Sequence, residues 1–225
     1  MSEIKKQYNG RAEKYMNAQN KFYSGKEDDS RKALQDLFDF DLDSKVLLDA
    51  GCGFGKDMAY FRNAGAVVYG IDASEEMIGL ARKNNPEIRN ISVQSYDKTS
   101  FDDNFFDVVH SRYAFQYSED LDSVFSEMHR IIKPGGYFIF LAAHPLLSFI
   151  AKEERDYNKR ETISFPIFDG SFVLHEPSHT VSDYLSPALL SGFDLIYFSE
   201  QKQKENENNF DEIVPDYLVM KLRKR

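Results

Sequence analysis

VLLDAGCGFG, residues Val46 to Gly55, is the stretch whose reading decides the fold. Val46, Leu47 and Leu48 make a short unbroken apolar run, as expected of a parallel strand covered on both faces. Asp49 is the first polar residue, at the strand's carboxyl end. Gly51, Gly53 and Gly55 follow at alternate positions. Glycine lets the chain turn with positive φ and lets a ligand approach the backbone closely. Lys56 to Ala64 then predicts a helix, with Met58, Ala59 and Phe61 on its apolar side. Open α/β sheets bind ligands in a crevice outside the carboxyl ends of their strands, so this unit predicts such a crevice at Asp49.

Downstream the same rhythm repeats. AVVYGI, residues Ala66 to Ile71, is a second strand ending at Asp72. Ser74 is a suitable N-cap, with Glu75 and Glu76 at the positive end of the next helix. Ile91 to Gln94 reads as a third strand and Phe105 to His110 as a fourth. Ser118 is expected to cap a helix whose stripe is Leu121, Val124, Phe125, Met128, Ile131 and Ile132. Lys133-Pro134-Gly135-Gly136 should stop it, and Tyr137 to Ala142 is a fifth strand. Strands alternating with helices predict an α/β fold with a doubly wound, mostly parallel sheet. Asp194 to Ser199 and Asp216 to Leu222 bring it to seven strands, Rossmann-like, with an insertion after the fifth. The stretch QKQKENENNFDE between the last two is expected to be a mobile loop.

Upstream, residues 1–30 are polar with Tyr8, Tyr15, Phe22 and Tyr23 spaced through them. They read either as an arm packed on the domain or as a segment folding over the crevice. Ser30 to Phe38 is a short helix. The insertion is ISFPIFDGSFVL, a hairpin turning at Asp169-Gly170, followed by a helix over Ser182 to Leu190. The organisation expected is one domain over 1–225. Its parts are an arm and helix (1–40), a ligand-binding core (41–145), a substrate-side insertion (146–192) and two final strands (193–225).

Composition narrows the partners. A formal charge of −9, from 28 basic and 37 acidic residues, argues against a nucleic-acid or anionic-membrane surface. Cys52 is the only cysteine, so no intramolecular disulfide can form, which suits a reducing compartment. The start of the sequence has no apolar signal-peptide core. No run approaches the roughly 18 apolar residues that span a bilayer. A cytoplasmic, soluble protein is expected, with no metal-ligand spacing at Cys52.

The crevice residues select the ligand. A dinucleotide fingerprint is G-x-G-x-x-G, whereas this turn is G-x-G-x-G followed by Lys56. A phosphate loop ends G-K-[ST], whereas Gly55-Lys56 is followed by Asp57, an anion without the magnesium-binding hydroxyl. Asp72, ending the second strand, offers two oxygens that match the vicinal diol of a ribose. Asp49 favours a cationic group at the mouth. A ribose, a positive charge and no phosphate together fit S-adenosylmethionine.

At this point the chain resembles a family. VLLDAGCGFG, GIDAS, FDDNFFDVVHS and the helix ending in IIKPGGYFIF are similar, in order and spacing, to the class I S-adenosylmethionine-dependent methyltransferases over roughly residues 40–145. SRYAFQY and AAHP look most like the small-molecule members. The resemblance implies that Ala50, Gly51, Cys52 and Gly53 lie in the turn along the methionine part, with Cys52 a small spacer. Asp49 would orient the amino group and Asp72 the ribose hydroxyls. Ala73 and Met77 would line the adenine pocket, and Ser95 and Tyr96 would close its other side. Ser95 stands where many relatives carry an acid, with Asp97 a substitute. His110, Ser111 and Arg112 would follow the fourth strand, where the methyl group points.

The DNA-methylating elements of the superfamily are missing: HSRY stands where D/N-P-P-Y/F would, and no Pro-Cys nucleophile exists. A small-molecule O, N or C acceptor is therefore expected. The alternatives are a protein or tRNA substrate, or a non-catalytic cofactor-binding partner. Alignment supplies most of the acceleration in such a transfer, and a base is needed only if the acceptor must lose a proton. His144 is the first candidate base and His110 the second, with Tyr113, Tyr117 and His179 behind them. The apolar hairpin around Phe165 to Phe172 reads as a cover over the acceptor. Packing on the sheet edge, or pairing with a second copy as a homodimer, is its alternative.

Overall fold

The computed structural model describes residues 7–202 and 214–225; most of the polar stretch 201–212 lies outside the described residues. Seven strands form one sheet in the order β3-β2-β1-β4-β5-β9-β8. These are β1 (Val46–Ala50), β2 (Val67–Asp72), β3 (Asn90–Val93), β4 (Phe106–Arg112), β5 (Ile132–Ala143), β8 (Phe193–Gln201) and β9 (Tyr217–Lys224). The first five pair in parallel, and β9 runs antiparallel between β5 and β8. A separate hairpin, β6 (Thr162–Ile167) with β7 (Phe172–Pro177), forms the insertion's own sheet.

The alternation of side chains along each strand splits the core into two layers. Leu47, Val108, Ile139 and Val219 face one way, onto Leu34, Met58, Phe61 and Ile78. Those come from α2 (Asp29–Gln35), α3 (Met58–Asn63) and α4 (Glu75–Asn84). Leu48, Val109, Phe140 and Met220 face the other way, onto Val124, Phe125 and Met128 of α5 (Leu121–Ile131). Strands buried on both faces are the reason their sequences read as continuous apolar runs. The order of strand addition reverses between β1 and β4: β2 and β3 lie to one side, β5 to the other. A crevice opens at that switch point.

Several boundaries differ from the sequence reading, each for a local reason. Residues 54–57 turn before α3 begins. Asp120, not Ser118, caps α5, accepting from the Ser123 N–H at 3.0 Å, while the Ser118 hydroxyl bonds Asp120. The helix ends at Ile131, but Ile132 already pairs with Phe106, so Lys133 to Gly136 form a bulged start to β5. Ser186-Pro187 splits the helix expected over Ser182 to Leu190 into α7 (Val181–Tyr184) and α8 (Pro187–Gly192), since proline cannot donate within a helix. The upstream arm holds an 11-residue helix, α1 (Ala12–Phe22). A further short helix, α6 (Pro145–Ala151), follows β5. Among the described residues no helix is long and apolar enough to cross a membrane.

Candidate active site

The glycine turn is built against β2. The N–H groups of Gly51 and Cys52 both donate to the Ile71 carbonyl, at 2.8 and 2.9 Å. Gly51 has φ +76°, and a Cβ there would lie 2.3 Å from the Ala114 Cβ, so no side chain fits. At Gly53 a Cβ would meet nothing within 4 Å: its free face opens on a cavity.

Asp72 locks the turn from below. Its Oδ2 accepts from the Gly53 N–H at 3.0 Å and its Oδ1 from the Ser74 N–H at 2.8 Å. Each oxygen keeps an acceptor position for a hydroxyl. Burial pushes this carboxyl up to about 6, and the charge of Asp49 adds to the rise against those backbone bonds. Beside it, Ala73, Met77 and Tyr96 line the same end of the cavity. The Tyr96 hydroxyl is fixed on the Ala114 carbonyl at 3.1 Å.

Asp49 lines the same cavity. Its Oδ1 lies 3.0 Å from Nδ1 of His110, both side chains being buried. The His110 ring packs on Phe38 and Phe61, on the helix side of the sheet. Beyond Asp49 lies an ion network. Arg112 Nε donates to Asp57 at 2.8 Å, and Arg112 Nη1 reaches Asp28 at 3.3 Å. Arg31 Nε stands 3.2 Å from the second oxygen of Asp57. Burial raises Asp57, but the two guanidiniums outweigh it and hold the carboxyl at about 2. Tyr113, directly after β4, takes φ +53°, uncommon for a bulky residue, and also lines the cavity.

The roof is aromatic and comes from far away in sequence. Tyr8 and Tyr15 line the cavity from the arm, and Tyr117 lines it from the 3-10 turn after β4. The Tyr8 hydroxyl donates to that of Tyr117 at 2.9 Å. Phe172 of β7 stacks on Tyr8 and meets Tyr15 edge-on. Burial pushes Tyr117 and Tyr8 well above the ordinary phenol range, and Tyr15 up to about 12. These phenols stay neutral at physiological pH and so serve as hydrogen-bonding walls rather than bases.

Nine of the twelve residues expected around the cofactor border one cavity: Asp49, Gly51, Cys52, Gly53, Asp72, Ala73, Met77, Tyr96 and Arg112. Ala50, Ser95 and Ser111 are not among its lining residues. Ala50 is fully buried, and its carbonyl accepts from the Ser111 hydroxyl at 2.7 Å, which ties β1 to β4. Ser95 bridges to Lys98. Neither histidine proposed as base lines the cavity. His110 lies behind Asp49. His144 is fully buried, accepts the Leu146 N–H at 3.2 Å to cap α6, and meets Glu200 of β8 at 2.7 Å. His179 bonds the Gln116 carbonyl at 3.1 Å outside the lining. Sequence reasoning missed Gln19, Lys56 and Asp57, which do line the cavity. Tyr15 and Gln19 fall at i, i+4, so the helical period of the arm was the available signal.

A mostly parallel seven-stranded sheet, with a carboxylate at the ends of both β1 and β2 around a glycine turn, is the architecture of the class I S-adenosylmethionine-dependent methyltransferases. The methyltransferase domain family matches residues 48–140. An uncharacterized methyltransferase of Synechocystis is 35% identical over 100 residues, covering 44% of this chain and 47% of that protein. Malonyl-[acyl-carrier protein] O-methyltransferase of Pectobacterium atrosepticum is 34% identical over 94 residues, covering 42% of this chain and 37% of that protein. The chain thus spans less than half the length of these curated relatives. A solved S-adenosylmethionine-dependent methyltransferase from Mesorhizobium loti shares the fold, with a TM-score of 0.67 and 24% identity over 86% of this chain and 96% of that one. Over residues 48–140 this chain is thus similar to the methyltransferase domain family, and S-adenosylmethionine is the cofactor named for the solved neighbour of the same fold.

Proposed function

We propose that this protein transfers a methyl group from S-adenosylmethionine to a small-molecule acceptor. The observation that carries the reading is the pair of strand-end carboxylates, Asp49 and Asp72, on the walls of one cavity floored by the glycine turn. The residues present fit the cofactor. Asp72 has acceptor positions for the ribose hydroxyls, and Gly53 leaves room for close approach. Ala73, Met77 and Tyr96 would hold the adenine, and Asp49 the amino group. When bound, the cofactor supplies a sulfonium methyl that is already reactive.

The chain's own contribution is then alignment and exclusion of water. The arm supplies the inner roof through Tyr8 and Tyr15, and the hairpin lies behind it through Phe172 and Phe168. The hairpin therefore acts as a cover through the arm. Its inward row is already packed on the same chain, which argues against pairing of two copies there. With His110 and His144 both held away from the cavity, the reading favours an acceptor that needs no base from the enzyme. The malonyl group in the name of one relative carries a carboxylate, an acceptor of that kind. The buried lone thiol suits the cytoplasm.

Calorimetry tests this reading. S-adenosylhomocysteine should bind with a micromolar Kd, roughly −8 kcal/mol, while NAD and ATP should not bind. Tight NAD or ATP binding without S-adenosylhomocysteine binding would end it.

A further inference from the structure

We propose that Lys56 recognises the α-carboxylate of the cofactor, so that Lys56 and Asp49 together read the two charges of its amino-acid end. The proposal rests on the methyltransferase reading and assigns a residue which neither the family's motif nor the glycine turn requires.

Lys56 directly follows the glycine turn and lines the cavity together with Asp57 and Arg112. Three cations stand at this end, Arg31, Lys56 and Arg112, against two carboxylates, Asp28 and Asp57. Both carboxylates are taken by the guanidiniums, at 2.8 to 3.6 Å. The ammonium of Lys56 forms no ion pair with a described carboxylate; it lies 5.1 Å over the ring of Tyr23. Lys56 is therefore the cation of this cluster without a close carboxylate partner among the described residues, half-buried beside the cavity, where screening by water is weakened. Burial lowers the Lys56 ammonium, and Arg31 and Arg112 lower it further, against the opposing pull of Asp28 and Asp57. An anion placed here would relieve that repulsion. Arg112 is the competing candidate, but its guanidinium is already engaged with Asp57, Asp28 and Ser30. On the same cavity the Asp49 carboxylate offers the opposite charge. A ligand end with an ammonium and a carboxylate on one carbon complements this pair, and a decarboxylated one satisfies half of it.

The test compares S-adenosylmethionine with decarboxylated S-adenosylmethionine, by calorimetry, on the wild type and on Lys56→Met, Lys56→Gln and Lys56→Arg. The wild type should favour the carboxylated form. Lys56→Met and Lys56→Gln should lose about ten- to hundredfold in affinity for it, the scale of a charge-assisted hydrogen bond, with little change for the decarboxylated form. Lys56→Arg should keep most of the preference. Retained affinity for the decarboxylated form doubles as the check that the variants fold. A wild type without preference, or variants that weaken both ligands equally or neither, would overturn the assignment. A wild type that binds neither ligand would instead sink the methyltransferase reading beneath it.

Discussion

The cofactor side and the cover side of the cavity are built by different means. The cofactor side is made of consecutive strand ends: a turn pinned on Ile71, and Asp72 pinned on Gly53 and Ser74. Its contacts are backbone bonds within about twenty residues of each other. The cover side is made of side chains joined across the whole chain. Tyr8 meets Tyr117, the Gln7 amide bonds His175, and Arg11 reaches the Val173 carbonyl and sits 4.1 Å over the Phe172 ring. The floor should therefore open only with the sheet, whereas the roof, held by aromatic packing and a few long-range side-chain bonds, should loosen without unfolding the sheet.

The largest expected effect lies in the cover. Glu176 is the third inward-facing residue of β7 after Phe172 and Leu174, at a position where the strand's alternation calls for an apolar side chain. It is buried, its carboxyl's only hydrogen bond among the described residues is from the Ser148 hydroxyl at 3.4 Å, and burial raises that carboxyl to about 8. The folded state keeps a proton that the unfolded chain loses near 4.5. Stability should therefore fall as pH rises from about 4.5 to 8, by at most roughly 5 kcal/mol at about 1.4 kcal/mol per pH unit. Urea denaturation of Glu176→Gln should show this pH dependence largely gone. An unchanged slope would mean the carboxylate is solvated after all. Asp72, on the floor, should act with the same sign over about pH 4 to 6, and cofactor binding should oppose it.

Phe172→Ala sharpens the comparison next. Removing a fully buried phenylalanine costs about 3–5 kcal/mol. The loss should fall on the roof: hydrogen exchange should quicken in α1, β6 and β7 and stay slow in β1, β4 and β5. Uniform loss of protection would show that roof and sheet unfold as one unit.

Asp72→Ala probes the floor alone. It should weaken S-adenosylhomocysteine by about 1.5–3 kcal/mol, the scale for lost charged hydrogen bonds. The apo protein should change little in stability at neutral pH, because relief of the half-buried charge offsets the two lost backbone bonds. Unchanged affinity would take Asp72 out of the site.

The smallest effect tests the polar clasp between Tyr8 and Tyr117 in the roof. Tyr8→Phe removes the 2.9 Å bond to Tyr117 and should cost about 0.5–1.5 kcal/mol in thermal or denaturant stability. Cofactor affinity should move by no more than a few fold. A larger loss of affinity would make the hydroxyl a ligand contact rather than a clasp.

The sequence by itself determined whatever is local. The apolar run into Asp49, the alternating glycines, the strand ending at Asp72, the Ser74 cap and the stripe of α5 are all fixed within one or two turns of chain. Together they specify the sheet and the cofactor walls, because backbone geometry and side-chain period act over such distances. Tertiary structure alone decided the rest. His144 follows a strand end, where the local pattern places a base, yet β8 closes over it and Glu200 engages its ring. His110 sits on β4 in register with Asp49, but its ring is taken up by Phe38, Phe61 and the Asp49 carboxylate, so that of the pair Asp49 lines the cavity. Lys56 became a lone cation only when α2 brought Arg31 and Asp28 to the network around Asp57 and Arg112. Charge balance and burial are sums over neighbours far apart in sequence, so the fold must be complete before either is defined.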